Sequence, residues 1–433
     1  MLRTLNKNII LVLIGNLLEF YDLGLFGFLS VIITPLYFQC DNGISSLLAS
    51  ASIFAIGFCM RPIGAIVFGY IGDVFGRKVC LSRTILLMAA PTILISLLPT
   101  YHQIGIVAPI ILIMCRLLQG VCTGGEYNNA AIYLLETVDS YQRGLFSGIM
   151  IASSILGFFL ASIIASIVIA FPQYSHWSWR FSFLLGALIG VVGFYLRKNL
   201  VLEPEARKPL KEDSTYKGFS LHWKNIAVTV CIGWLAGTLS LSLVGYITSY
   251  LTAVLHLSIS QASLITNTGL GVYIFFLPLF GFLSDQYGYR RIMLWGALST
   301  IFLSYPFFYL LSSGFFYPGE IGLALLAALF LAPMHAYMLE LFPLSFRCRG
   351  ISTAFAIGVG MLGGTAPFIS TLLLKILEVD EAPALYYIAS GVFGLIALKL
   401  SRPVTNDAFS RERKFMIQNA DFPWLFKRKL KAS

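Results

Sequence analysis

The sequence predicts an all-α integral membrane protein: twelve transmembrane helices in two pseudo-symmetric six-helix halves, with both termini in the cytoplasm. Three observations carry this. Apolar stretches of helical length recur twelve times, Lys and Arg collect in alternate gaps between them, and one loop motif returns at matching places in the two halves.

The apolar stretches come first. Of 433 residues, 58% are hydrophobic and only 12% charged, with a mean hydropathy of +0.81. A soluble domain carries roughly a quarter charged residues. No soluble core can hide this much apolar surface, so lipid must be the solvent for most of it. The stretches run over 9–37, 46–71, 79–99, 106–134, 145–171, 180–197, 226–252, 262–283, 292–311, 316–340, 351–374 and 383–400. Each can cross about 30 Å of hydrocarbon at about 1.5 Å per residue. Pro318, Gly319 and Pro333 interrupt the tenth.

Orientation follows from the cations. With cytoplasmic termini, the inward gaps hold 26 of the 30 Lys and Arg. The outward loops keep Arg180 and Lys375, while Arg61 and Arg116 fall within spans. This is the positive-inside pattern of a plasma (inner) membrane protein. The net charge of +10 is therefore spent on orientation, and nucleic acid is excluded as a partner, since no long basic face appears.

The polar segment 198–225 reads as a cytoplasmic linker between halves 1–197 and 226–400. Residues 401–433 form a basic tail suited to an anionic leaflet. The seven cysteines, Cys40 alone in an outward loop, form no CxxC and no scaffold, so no metal and no cofactor is expected. The first apolar stretch is too long for a cleavable signal and lacks an Ala-x-Ala site.

The repeated loop is the most specific feature. Gly69-Tyr-Ile-Gly-Asp73-Val-Phe-Gly76-Arg77-Lys78 lies between spans two and three, and Gly281-Phe-Leu-Ser-Asp285-Gln-Tyr-Gly288-Tyr289-Arg290-Arg291 between spans eight and nine. The second Asp follows the first by 212 positions, close to half the chain. A second pair agrees: Glu136 precedes Arg143 by seven residues, as Glu340 precedes Arg347. Gly69 and Gly281 permit close helix approach. Asp73 and Asp285 stand where a short loop turns into a helix, placed to cap exposed N–H groups or meet a positive helix end. Gly76 and Gly288 suit a tight turn. These residues are candidate gating elements.

The loop resembles the signature of the major facilitator superfamily. The resemblance extends through Gly15-Asn16-Leu-Leu-Glu19-Phe-Tyr21-Asp22, Arg61-Pro62-Ile-Gly64, Arg116-Leu-Leu-Gln119-Gly120 with Gly124-Gly125-Glu126, Trp177-Ser-Trp179-Arg180 and Glu340-Leu-Phe342-Pro343. Together these are similar to the metabolite:proton symporter branch, whose members carry proline/glycine-betaine, citrate, shikimate or 2-oxoglutarate. Tyr289 departs from the pattern, standing where the second loop usually has Arg. The tail lacks the sustained heptads of some osmosensing betaine transporters.

Ionisable groups at membrane depth cost several kcal/mol each unless paired or hydrated. Glu19, Asp22, Arg61, Arg116 and Glu126 fall in the first half, and the C-terminal spans offer chiefly His335. Glu19 and Asp22 share a helical face with Asn16, and two close carboxylates cannot easily both ionise. With Glu126 they are the candidate proton-coupling groups. Arg116, Gln119, Thr123, Glu126 and Tyr127 make a polar stripe on span four, and Arg116 lies about 15 Å deep, near the midplane. A guanidinium there suits a solute carboxylate. Arg116, Gln119, Arg61, Tyr127 and Asn16 are the candidate solute contacts. Tyr246, Tyr250, Asn267 and Tyr273 are the candidates to line the cavity from the second half.

The expected function is a symporter that imports a small carboxylate-bearing solute with protons, acting as a monomer. The solute is a zwitterion such as proline or betaine, or an organic acid. The alternative is a proton-driven exporter, which the fifth span disfavours because it lacks a dense run of glycines with a proline. No HExxH, GxSxG or P-loop supports an enzyme.

Overall fold

The computed structural model describes residues 2–38, 57–58, 60–170, 177–186 and 219–401. Cys40, Cys59, residues 46–56 of the second expected span, 187–197 of the sixth, the linker up to 218 and the tail from 402 lie outside the described residues. The described chain is helical. Its longer segments are α1 (Leu2–Tyr37), α2 (Arg61–Val74), α3 (Arg77–Leu97), α4 (Val107–Thr137), α5 (Arg143–Ala170), α6 (177–186), α7 (Trp223–Ala253), α8 (Ile259–Tyr287), α9 (Tyr289–Ser312), α10 (Phe316–Leu341), α11 (Arg347–Leu377) and α12 (Pro383–Leu400). Among the described residues, ten of these are long and apolar enough to cross a membrane; α2 and α6 are shorter in their described parts.

The hydropathy ends fall short where helices begin on polar residues. The stretch expected from 145 starts at Arg143, that from 292 at Tyr289 and that from 351 at Arg347. Pro318 and Gly319 do not delay α10, because proline is tolerated in a first turn. Pro333 does break it, separating Phe316–Leu331 from Met334–Leu341. The glycines of α11 pack closely on α7, Gly358 against the Val230 carbonyl and Gly363 against Gly237, where the helix passes through a π-turn over Ile357–Leu362.

The surface is inverted relative to a soluble protein. Phe275, Phe302 and Phe368 are 70–71% exposed, while Asn16, Thr229, Ser304 and Glu320 are fully buried. That suits a lipid solvent, with polar groups turned into the bundle. Within the first set of helices α1 packs on α5 and α4 on α2 and α3; within the second, α7 packs on α11 and α12, and α9 on α10 and α12. The most extensive contacts between the sets, among the described residues, are α5 against α8 and α2 against α11.

Glycine sets the α2–α4 distance. A β-carbon on Gly64 would sit 1.8 Å from the Val121 carbonyl oxygen, and one on Gly124 2.1 Å from that of Arg61. This is the small-residue packing of membrane helices, and it brings Arg61 against the polar stripe of α4. At the far end of α3, Arg180 donates to the carbonyls of Ser96 and Leu98, both at 2.8 Å, so the Trp-Ser-Trp-Arg motif supplies a C-cap.

Candidate functional site

A cavity of about 70 Å³ lies between the two sets of helices. Phe20, Arg61, Thr123, Tyr127, Asn128 and Ser154 line it from the first set, and Ser240, Val244, Met334, Phe355 and Gly360 are among those lining it from the second. That volume holds a few waters and is well below an open ligand pocket. The wall is mostly apolar, and Arg61 is the one cation among the described lining residues.

Arg61 lies over the Phe58 ring, 3.9 Å from its centroid. It is within electrostatic reach of Glu19 and of the Tyr127 hydroxyl, yet its Nη2 has no hydrogen-bond partner. The Cys122 thiol lies within reach of both Glu19 and Glu126, which places those carboxylates in one neighbourhood.

Asp22 turns the other way. Its Oδ2 accepts from Thr92 Oγ1 and Gln119 Nε2, each at 2.9 Å, and Gln119 Oε1 accepts from Arg116 Nη1 at 2.8 Å. Arg116 also stacks 4.0 Å from the Phe26 ring centre. Three residues apart on α1, Glu19 and Asp22 thus meet different groups: Glu19 lies near Arg61 and Asp22 bonds Thr92 and Gln119. Arg116 belongs to a buried web joining α1, α3 and α4; it is not among the residues lining the central cavity, but with Arg61 and Gln119 it lines a smaller one beside it.

The other candidates have neighbours of their own. Asn16 donates through Nδ2 to the Met150 carbonyl and the Ser153 and Ser154 hydroxyls, tying α1 to α5, and it is not among the residues lining the cavity. Tyr246, Tyr250 and Tyr273 are buried in the core of the second set, and Asn267 accepts from Ser162 on α5. None of the four is among the residues lining the cavity. His335 makes no hydrogen bond; its ring meets Tyr127 edge-on at 5.0 Å, a contact between the two sets. Tyr127 stands where the sequence places it, on the cavity wall.

The repeated loops form two matching junctions at one end of the bundle. Gly76 and Gly288 have φ of 94° and 98°, a turn that glycine makes without strain. Asp73 Oδ1 accepts the Cys348 N–H, and its Oδ2 accepts the Arg349 N–H and Nε, all at 3.0 Å. Asp285 accepts the N–H groups of Gly144 and Leu145, both at 2.8 Å. Each carboxylate thus caps the first turn of a helix belonging to the other set, α11 and α5 respectively. Gly69 and Gly281 allow the approach: a β-carbon on Gly281 would lie 2.4 Å from the Gly144 carbonyl oxygen.

The acidic and basic pair also crosses. Arg347 Nη1 meets Glu136 Oε1 at 2.8 Å, and Arg143, whose Nε donates to the Leu135 carbonyl, lies within reach of Glu340. Tyr289 keeps a bridging role with a phenol, donating to Asp285 Oδ1 at 3.2 Å and lying 3.3 Å from the Ser140 carbonyl. Arg290 stays within its own set, holding the carbonyls of Leu398 and Lys399.

Two residues escaped the sequence reading. Arg349, two places after the Arg347 that the repeat points to, makes the ion pair with Asp73. Glu320, the one acid in the Phe316–Leu331 segment of α10, is fully buried. Its signal is its isolation: the stretch has no neighbouring charge to explain it.

Comparison with known proteins agrees with this architecture. The chain fits the sequence model of the Major Facilitator Superfamily over residues 12–249 and 229–430. It is 31% identical over 415 residues to the glycine betaine/proline/ectoine/pipecolic acid transporter of Dickeya dadantii strain 3937, covering 90% of this chain and 82% of that one. It is 33% identical over 407 residues to a putative proline/betaine transporter of Staphylococcus aureus strain COL, covering 90% and 87%. Among solved structures, a proton:xylose symporter bound to 6-bromo-6-deoxy-D-glucose superposes with a TM-score of 0.75 at 15% identity, over 91% of this chain and 94% of that one. The chain therefore belongs to the Major Facilitator Superfamily, in its metabolite:proton symporter branch, and is a multi-pass membrane transport protein rather than an enzyme.

Proposed function

We propose that the protein is a proton-coupled symporter importing a small carboxylate-bearing zwitterion, with proline or betaine as the type. In this reading residues 1–197 and 226–400 are two six-helix halves, giving twelve spans joined by the 198–225 linker, and 401–433 is a tail. Both termini are cytoplasmic in the cell's inner membrane, which the placement of 26 of 30 cations supports. The halves rock about the cavity between them, exposing it to each side in turn.

The observation that carries the reading is Arg61, a cavity-lining guanidinium with an unpartnered nitrogen in an otherwise apolar wall. A carboxylate is the group that its planar donors match best. Phe20, Tyr127 and Phe355 also line the cavity, and aromatic rings suit a positive nitrogen. The named solutes of the relatives, proline and betaine, join those two features. Coupling is assigned to the carboxylates of the first half. When the solute takes the Arg61 guanidinium, Glu19 gives up its counter-charge, and a proton restores the balance of charge. Glu126 shares that neighbourhood, and Asp22 with Gln119 holds Arg116 in place. The two Asp-capped junctions close the cytoplasmic side and release when the halves rock.

The test is uptake by proteoliposomes holding the full-length protein. Labelled proline and betaine should accumulate on a pH gradient, acid outside, and a protonophore should abolish the accumulation. Equal accumulation of choline, which lacks the carboxylate, would remove the role of Arg61. Accumulation indifferent to the gradient would remove proton coupling.

A further inference from the structure

Glu320 has no place in that scheme. It stands just beyond the first turn of α10, fully buried, and neither carboxyl oxygen has a hydrogen-bond partner. Among the described residues no Lys, Arg or His pairs with it. A lone ionised carboxylate at such a place costs several kcal/mol, so this geometry suits the neutral acid. Room for it is built in: opposite stands Gly269 of α8, where a β-carbon would lie 2.6 Å from Glu320 Cγ and Oε1.

Three phenols, Tyr387, Tyr246 and Tyr250, lie between it and the turn before α12; the first two have hydroxyls without a hydrogen-bond partner, and the third is bonded at the turn. Tyr387 of α12 lies within electrostatic reach of both Glu320 and Tyr246, beside Ser242. The Tyr246 and Tyr250 rings are 6.1 Å apart. The Tyr250 hydroxyl donates to the Asp380 carbonyl at 3.0 Å and lies within reach of the Asp380 and Glu381 carboxylates. Phe308 of α9 packs edge-on against both Tyr250 and Tyr387, at 5.7 and 5.2 Å, and fixes their spacing. Asp380 is exposed in the turn before α12, and Glu381 accepts a hydrogen bond from Ser312. Phenol hydroxyls both donate and accept, so each can take a proton on one side and release its own on the other.

We propose that Glu320 is a second proton-binding site, in the C-terminal helices, loaded from the Asp380–Glu381 turn through Tyr250, Tyr246 and Tyr387. One proton moves from water at the turn to a Glu320 carboxyl oxygen, and returns the same way. The site is separate from the carboxylates around Arg61. Its use in transport rests on the proton-coupled reading, but its protonation does not, so the test begins there.

Purified full-length protein is followed by infrared spectroscopy in H₂O and D₂O while the pH is raised. The wild type should show the carbonyl band of a buried neutral carboxylic acid that E320Q lacks and E320D shifts. Tyr387→Phe should keep the band and slow its deuterium shift. Spectra of wild type and E320Q without that difference would overturn the proposal, and so would a band unmoved by both D₂O and alkaline pH. Should E320Q fail to fold, the E320D shift and the wild-type titration decide alone. In proteoliposomes, E320Q should lower steady-state accumulation on a pH gradient by about tenfold, the scale of a typical coupling energy, while solute exchange without a gradient persists. Wild-type accumulation in E320Q would make Glu320 a structural acid and end the proposal. If Glu19→Gln accumulates solute normally, the first-half reading fails, and the infrared result stands untouched.

Discussion

Neutralising Asp73 should unlock one side of the transporter, and a native cysteine reports it. Asp73 accepts three hydrogen bonds from α11, two from backbone N–H groups and one from the Arg349 guanidinium. Asn keeps the shape and one acceptor oxygen, but loses the charge and turns an NH₂ toward other donors. Charge-assisted bonds contribute about 1.5–3 kcal/mol each. Some of that is recovered as the freed groups meet water, so D73N should weaken the closed junction by about 2–4 kcal/mol. At about 1.4 kcal/mol per tenfold, the open fraction rises roughly 30- to 1,000-fold while it remains a minority. Cys348 is fully buried, and its N–H is one of the donors to Asp73. Its alkylation rate by N-ethylmaleimide, read by peptide mass spectrometry, should rise by the same factor. Thermal stability should fall little, since the contact joins two sets of helices that each keep their own packing. A Cys348 rate within about threefold of wild type would refute the reasoning, because the lost contacts would then carry less than about 0.7 kcal/mol.

Three further outcomes follow from the same geometry. Arg61→Lys keeps the charge but loses the planar fork, so solute affinity should fall at least tenfold, a loss of about 1.4 kcal/mol, in equilibrium binding to purified protein. Arg116→Gln should instead lower unfolding stability by about 3–5 kcal/mol, read by thermal shift, because it strips the buried Asp22 web of its cation; an intact protein with weakened solute binding would return Arg116 to the binding site. Gly144→Leu should part α5 from α8 at the Asp285 junction, since even a β-carbon there meets the Gly281 carbonyl at 2.5 Å. Labels on the two helices should then move apart in spin-label distance measurements.

The helices and the repeat were legible in the sequence because each depends on local composition. Hydropathy finds a span wherever about 20 apolar residues follow one another, and the loops carry Gly and Asp at fixed spacing. What composition cannot give is which helix a side chain meets. Asp73 and Asp285 read as caps of a neighbouring turn, yet the helices they cap are α11 and α5, in the other set. Arg116 read as a midplane solute contact from its depth, which holds equally for every face of α4. Its actual neighbours, Gln119 and Phe26, depend on the rotation of α4 against α1. Arg61 reads as a candidate solute contact, and the glycines at 64 and 124 bring its helix in until it reaches the cavity. His335 was legible only as an ionisable residue in a span; that its neighbours are the rings of Tyr127 and Phe355 depends on how α10 meets α4 and α11.

The two junctions are similar in plan and different in substance, and that difference bears on gating. Among the contacts described, Asp73 holds a guanidinium as well as two N–H groups, and Asp285 two N–H groups and a phenol. Removing the charge of Arg349 would weaken only the first. The contact between α2 and α11 therefore has the larger electrostatic share, and the contact between α5 and α8 leans more on backbone approach at Gly144 and Gly281. Raised salt screens partly exposed charge and leaves backbone packing alone. The Glu136–Arg347 pair, with the Glu136 side chain 21% exposed, is the most open to such screening and flanks the same end. Opening driven by high ionic strength should accordingly begin at α2–α11, with Cys348 alkylation rising before any distance change between α5 and α8. A simultaneous response would mean that the two junctions move as one rigid unit, and that their chemical difference has no kinetic consequence.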